Sequence, residues 1–160
     1  VYKKALDLNP RYLEAQSNLA AVYMYKGSAD DAITDYQKAL TLNPNDAKVH
    51  CNLAAAYNKK RMFDEAISEC NKAIALDPRY AKAYFNLGSA YGNKGMMGEA
   101  IAKFQQAITI NPQYAKAYHS LALAYYYEGN YKLSIEYFDR AKELGANVNP
   151  KIVEQLQPYS

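Results

Sequence analysis

Four prolines, Pro10, Pro44, Pro78 and Pro112, stand 34 residues apart, and each follows an asparagine or aspartate. A helix breaker at a fixed period limits a chain to a series of like units, each burying its apolar face against the next. Between the prolines, apolar residues recur at i, i+3, i+4 and i+7, which predicts two helices per unit rather than strands. The third unit shows Tyr84, Leu87, Gly88 and Tyr91 in its first helix, then Ala100, Phe104 and Ala107 in its second. The residue before each proline is pushed out of the helical region, so each second helix is expected to stop there.

Small residues such as Ala20 and Ala32 allow close helix approach, with Leu19, Tyr23 and Tyr36 filling the space around them. On this reasoning Gly88 should tolerate alanine, which stands at the equivalent positions Ala20, Ala54 and Ala122, but not leucine. Gly27, Gly95 and Gly129 are placed to end first helices in the left-handed conformation. Ser28 with Asp31 reads as a capping box for the next helix.

These positions resemble the tetratricopeptide repeat (TPR) family, whose pattern is a large residue, Leu-Gly/Ala, Tyr, Gly, Ala, aromatic, Ala and Pro. The match runs through Leu19, Ala20, Tyr23, Gly27, Ala32, Tyr36, Ala39 and Pro44, and is complete again in the third unit. Arg61 replaces the turn glycine of the second unit and Cys70 its aromatic; the fourth has Ser134 for alanine and Ala146 for proline. The resemblance implies an all-α fold, a right-handed α-solenoid of antiparallel helix pairs. Residues 1–12 read as the second helix of a truncated repeat, 13–46, 47–80, 81–114 and 115–148 as four repeats, and 149–160 as a C-terminal capping helix. In that cap Ile152, Val153 and Leu156 share one side.

A second stripe, at i, i+4, i+7 and i+11, remains once the packing face of each first helix is assigned. It reads Glu14, Asn18, Ala21 and Tyr25; Lys48, Asn52, Ala55 and Lys59; Lys82, Asn86, Ser89 and Asn93; Lys116, Ser120, Leu123 and Tyr127. In the family this face lines the concave surface that binds extended peptides. A primary amide both donates and accepts, which suits it to a peptide backbone. With first helices about 10 Å apart and an extended chain advancing about 3.3 Å per residue, Asn18, Asn52 and Asn86 would meet every third peptide residue. They resemble the asparagine ladder of O-linked N-acetylglucosamine transferases, with Ser120 a shorter substitute; the alternative is a solvated polar filler.

Lys48, Lys82 and Lys116 sit in first turns, where a cation opposes the helix dipole. They are either an electropositive rim for an acidic or C-terminal peptide or ordinary solvated lysines. The family's carboxylate clamp is matched only at Asn52 and Lys82; Ser17, Ala21 and Asn86 stand where it has other residues. Phe85, His119, Tyr126 and Tyr127 flank the stripe, either as an aromatic pocket for an apolar anchor or as packing.

The expected function is therefore a non-catalytic module that holds an extended partner segment, with self-association or spacing as the alternative. His50 and His119 are two repeats apart and Cys51 is remote from His119, so no catalytic or metal site and no cofactor is expected. The net charge of +3 arises from scattered residues, which argues against nucleic acid. No run of 18 apolar residues is present, so no membrane association is expected. Two cysteines without metal spacing suit reduced thiols and a cytoplasmic setting. The start at Val1 inside a helical pattern reads as an excised fragment; it leaves an apolar N-terminal edge that would support homo-oligomers, and the parent chain could carry a targeting segment or a catalytic domain.

Overall fold

The computed structural model describes residues 13–159, with side chains from Asn18 onward. The expected half-repeat at 1–12 and the side chains of Glu14 and Ser17 lie outside the described residues. Helices α1 (Leu13–Lys26) and α2 (Ala29–Leu42) form the first pair, α3 (Ala47–Lys59) and α4 (Phe63–Leu76) the second. The third pair is α5 (Ala81–Asn93) and α6 (Met97–Ile110), and the fourth α7 (Ala115–Tyr127) and α8 (Tyr131–Glu143). A short α9 (Pro150–Leu156) and a 3-10 turn follow. Each helix packs on the one before and the one after it, giving an all-α array of sequential antiparallel pairs.

The proline signal acts as expected, with a further part the spacing does not reveal. Asn43, Asp77 and Asn111 are extended at φ −139°, −137° and −129°, ending α2, α4 and α6 before Pro44, Pro78 and Pro112. Their side-chain oxygens then accept from the backbone N–H of Asn45, Arg79 and Gln113. An Asn or Asp before each proline thus closes the turn on itself, replacing helical hydrogen bonds lost at the break.

First helices end at residues with positive φ: Gly27 (88°), Gly95 (79°), Gly129 (77°) and, in the second unit, Arg61 (61°). Arg61 bears a side chain in a region that costs an L-residue roughly 1–2 kcal/mol, and its guanidinium lies over the Phe63 ring. The capping box is not formed as expected. Ser28 makes no side-chain bond to the helix backbone; its hydroxyl donates to the Asp31 carboxylate instead.

Small residues occupy the crossings. Ala20, Ala32, Ala39, Ala54, Ala66, Ala73, Ala100, Ala107, Ala122 and Ala141 are fully buried. Ser134 fits the alanine position of the fourth unit because its hydroxyl donates to the Ala122 carbonyl at 2.9 Å. Gly88 departs from expectation: a Cβ there would stand 2.8 Å from the Phe104 ring and 3.2 Å from the Ala100 carbonyl oxygen. Phe104 has moved into the space alanine fills elsewhere, so this crossing no longer accommodates a methyl group without a shift. At the other end Ile152, Val153 and Leu156 pack with Phe138, Val148 and Ala122. Among the described residues, no helix is long and apolar enough to cross a membrane.

Candidate functional site

The stripe differs in character from one junction to the next. Tyr25, Lys48, Lys59, Lys82, Asn93, Lys116 and Tyr127 are exposed, while Asn18, Asn52 and Ser120 are half-buried. Tyr25 and Tyr127 are 94% and 71% exposed, high values for large rings. Asn86 corrects the expectation of an open ladder, being only 6% exposed.

Between the second and third units the amides join the helices to each other. Asn86 Nδ2 on α5 donates to the Cys51 carbonyl on α3 at 3.0 Å, and Asn58 Nδ2 on α3 donates to the Asn86 carbonyl at 2.9 Å. Lys82 Nζ donates to Asn52 Oδ1 at 2.8 Å. These reciprocal bonds accompany a close approach of α3 and α5. Asn86 holds the array together as well as lying on the stripe. Lys59 Nζ likewise reaches back to the Met24 carbonyl at 3.2 Å.

The equivalent junction between the third and fourth units is open. A cleft of about 260 Å³ lies there, lined by Ser89, Gly92 and Asn93 of α5, Met97 and Phe104 of α6, and residues of α7 that include Ser120, Leu123 and Tyr127. Ser89 donates to the Phe85 carbonyl and Asn93 to the Ser89 carbonyl, so both spend donors on their own helix.

The four-ring aromatic pocket is not assembled. Phe85 packs against Phe104 and Tyr114 with centroids 5.8 and 5.1 Å away, and His119 meets Phe138 edge-on at 5.5 Å. Tyr126 donates to Gln155 at 2.8 Å and packs with Tyr131. Of the four, Tyr127 alone lines the cleft. Aromatic spacing on one helix does not reveal which neighbouring ring each will meet.

Other polar groups are absorbed into the scaffold. His50, only 6% exposed, has Nδ1 against Glu69 Oε2 at 2.5 Å and Nε2 against the Pro44 carbonyl at 2.9 Å. It ties the inter-unit loop to α4, a role sequence spacing missed because Glu69 lies 19 residues away. Cys51 and Cys70 are free and fully buried; burial pushes the Cys51 thiol up to about 11 and the Cys70 thiol higher still. No group of three or more His, Cys, Asp or Glu residues suited to a metal occurs among the described residues.

This arrangement of helix pairs carries the TPR pattern in sequence as well. A TPR repeat model matches residues 22–60 and 62–95, and tetratricopeptide repeat models match 81–114 and 115–146. A crystal structure of MamA is 34% identical over 89% of this chain and 84% of its own, with a TM-score of 0.77. The chain belongs to the tetratricopeptide repeat family, whose domains typically serve as protein–protein interaction modules. PilF of Pseudomonas aeruginosa, 23% identical over 92% of this chain and 67% of its own, has a TM-score of 0.81 and shares the fold. The first TPR of Spaghetti (RPAP3), bound to the HSP90 peptide SRMEEVD, is 26% identical over 73% of this chain and 93% of its own, with a TM-score of 0.69. No curated protein matches the sequence.

Proposed function

We infer that this chain holds an extended, acidic segment of another protein along the stripe of its first helices. The observation behind this reading is the charge of the stripe: Lys48, Lys59, Lys82 and Lys116 stand on it exposed, and from Asn18 onward it carries no carboxylate, Glu14 being its one acidic residue. Among the described residues none of the four forms an ion pair, whereas Lys38, Lys60, Lys72, Lys94 and Lys142 do. An array of unneutralised cations beside amides and exposed rings favours an acidic ligand, chiefly by speeding encounter.

The peptide held by the Spaghetti domain is acidic too, which supports the chemistry but not the same contacts. The Lys82–Asn52 bond unites the two clamp-like residues of this chain, while Ala21 and Asn86 stand where a clamp would need other side chains. Asn18 and Asn52 are the ladder positions that remain for a peptide backbone, as in the resemblance to O-linked N-acetylglucosamine transferases; Asn86 gives one donor to the scaffold. Self-association through the N-terminal edge would rest on residues 1–12, outside the described part.

Peptide arrays of acidic, neutral and basic extended segments test the reading. Retention of the acidic set, weakened by salt, is the expected result. Equal retention of neutral and acidic segments would contradict it.

A further inference from the structure

The junction between the third and fourth units has lost the bonds that close its neighbour. Gly92 stands where Asn58 bridges α3 to α5, and Ser120 stands where Asn86 reaches the Cys51 carbonyl. The carbonyl Ser120 would have to reach, that of Phe85, is already taken by Ser89. On the outer side Lys60 pairs with Asp30 and Lys94 with Asp64 across the first two junctions. The third has Glu128 opposite Gly98, which cannot form that pair. This junction lacks those four groups; α5 and α7 are less closely joined than α3 and α5, and the cleft lies between them.

Resting on the reading of the stripe as the site for an acidic segment, we propose that this cleft is the anchor pocket, taking one bulky apolar side chain of that segment. Its walls are mainly hydrocarbon, from Met97, Phe104, Leu123 and the Tyr127 ring, and two of its polar side chains already donate to backbone. A space of about 260 Å³ lies below the usual range of small-molecule pockets and leaves room for one bulky side chain. Charge fixes the other half of the occupant. Lys82 and Lys116 lie seven residues before Ser89 and Leu123 on the same two helices, roughly 10 Å along their axes. An extended chain covers that distance in about three residues. The segment therefore carries its acidic residues about three positions from its apolar anchor.

The probe is a short fluorescein-labelled Gly-Ser peptide with a pair of aspartates and, about three residues away, a single leucine; its twin has alanine in place of leucine. Binding to the full chain is read by anisotropy. The leucine peptide should bind at least about tenfold more tightly. That preference should disappear in G92N/S120N, which puts asparagine at both bridging positions and crowds the cleft, and in S89L, which fills the cleft without touching those positions. Melting curves of both variants confirm folding, and S89L stands alone if the double variant does not fold. Equal binding of the two peptides, with binding still lost in K48E/K82E/K116E, would overturn the anchor pocket and leave the stripe reading intact. Failure of both peptides to bind would overturn both. A leucine preference that survives in a folded S89L protein would also sink the anchor pocket.

Discussion

Asn86 and Asn18 occupy equivalent positions in their units and do different work. Asn86 is buried and bonded to the Cys51 carbonyl, while Asn18 is half-buried and has no such bridge among the described residues. Asn86→Ala should therefore cost about 0.5–1.5 kcal/mol in urea unfolding, and Asn18→Ala should be neutral or slightly stabilising, because alanine is the better helix former. Equal effects would show that the two amides share one role. His119 adds a pH dependence. Burial lowers its pKa from 6.5, so the unfolded chain takes up a proton more readily than the folded one. Its unfavourable contribution is absent well above 6.5 and grows as pH falls through 6.5 towards the lower folded value. His119→Gln should remove that part of the acid sensitivity: the stability difference between variant and parent should move in the variant's favour on acidification. A constant difference across that range would refute the assignment.

At the scale of helices, Gly88 and Phe104 make the sharpest prediction. With the ring 2.8 Å from where a Cβ would stand, the overpacking in Gly88→Ala costs about 1–3 kcal/mol, part of it offset by about 0.5–1 kcal/mol of helix propensity, so the variant should be less stable than the parent. A melting temperature equal to the parent's would show that Phe104 yields freely. The contrast with Ala20, Ala54 and Ala122 marks the limit of what the sequence discloses. Helix existence, pairing and ends were legible because they depend on local signals: apolar periodicity, the Asx-Pro breaks and the left-handed glycine turns. The burial of Asn86 and the tight fit at Gly88 are not legible in the sequence, because they depend on how closely two helices lean together, which a repeat pattern averages away. His50 was passed over for the same reason, since its partner Glu69 sits on the facing helix. The stripe positions could be read from spacing, but the cleft could not, because it depends on how closely α5 and α7 approach.

Across the whole array, units are joined by recurring contacts. Gln37 donates to the Tyr57 hydroxyl and Gln105 to that of Tyr125, both at 3.0 Å, linking a second helix to the next first helix. Such nearest-neighbour bonds give a scaffold whose stability is a sum over units and interfaces, and leave its stripe open for a ligand. Lys48, Lys82 and Lys116, in the first turns of their helices, slightly oppose the helix dipoles, by about 0.3–1 kcal/mol each at low salt. Replacing Lys48, Lys82 and Lys116 together by glutamate should therefore hold or raise the melting temperature while weakening capture of an acidic ligand. Loss of the Lys82–Asn52 bond offsets part of the gain. The decisive measurement is the association rate of a labelled acidic peptide with parent and triple variant, each at low and moderate salt. The parent should associate fast and with strong salt sensitivity, and the variant, melting no lower, slowly and with little salt dependence. Equal rates for the two proteins at low salt would contradict this expectation.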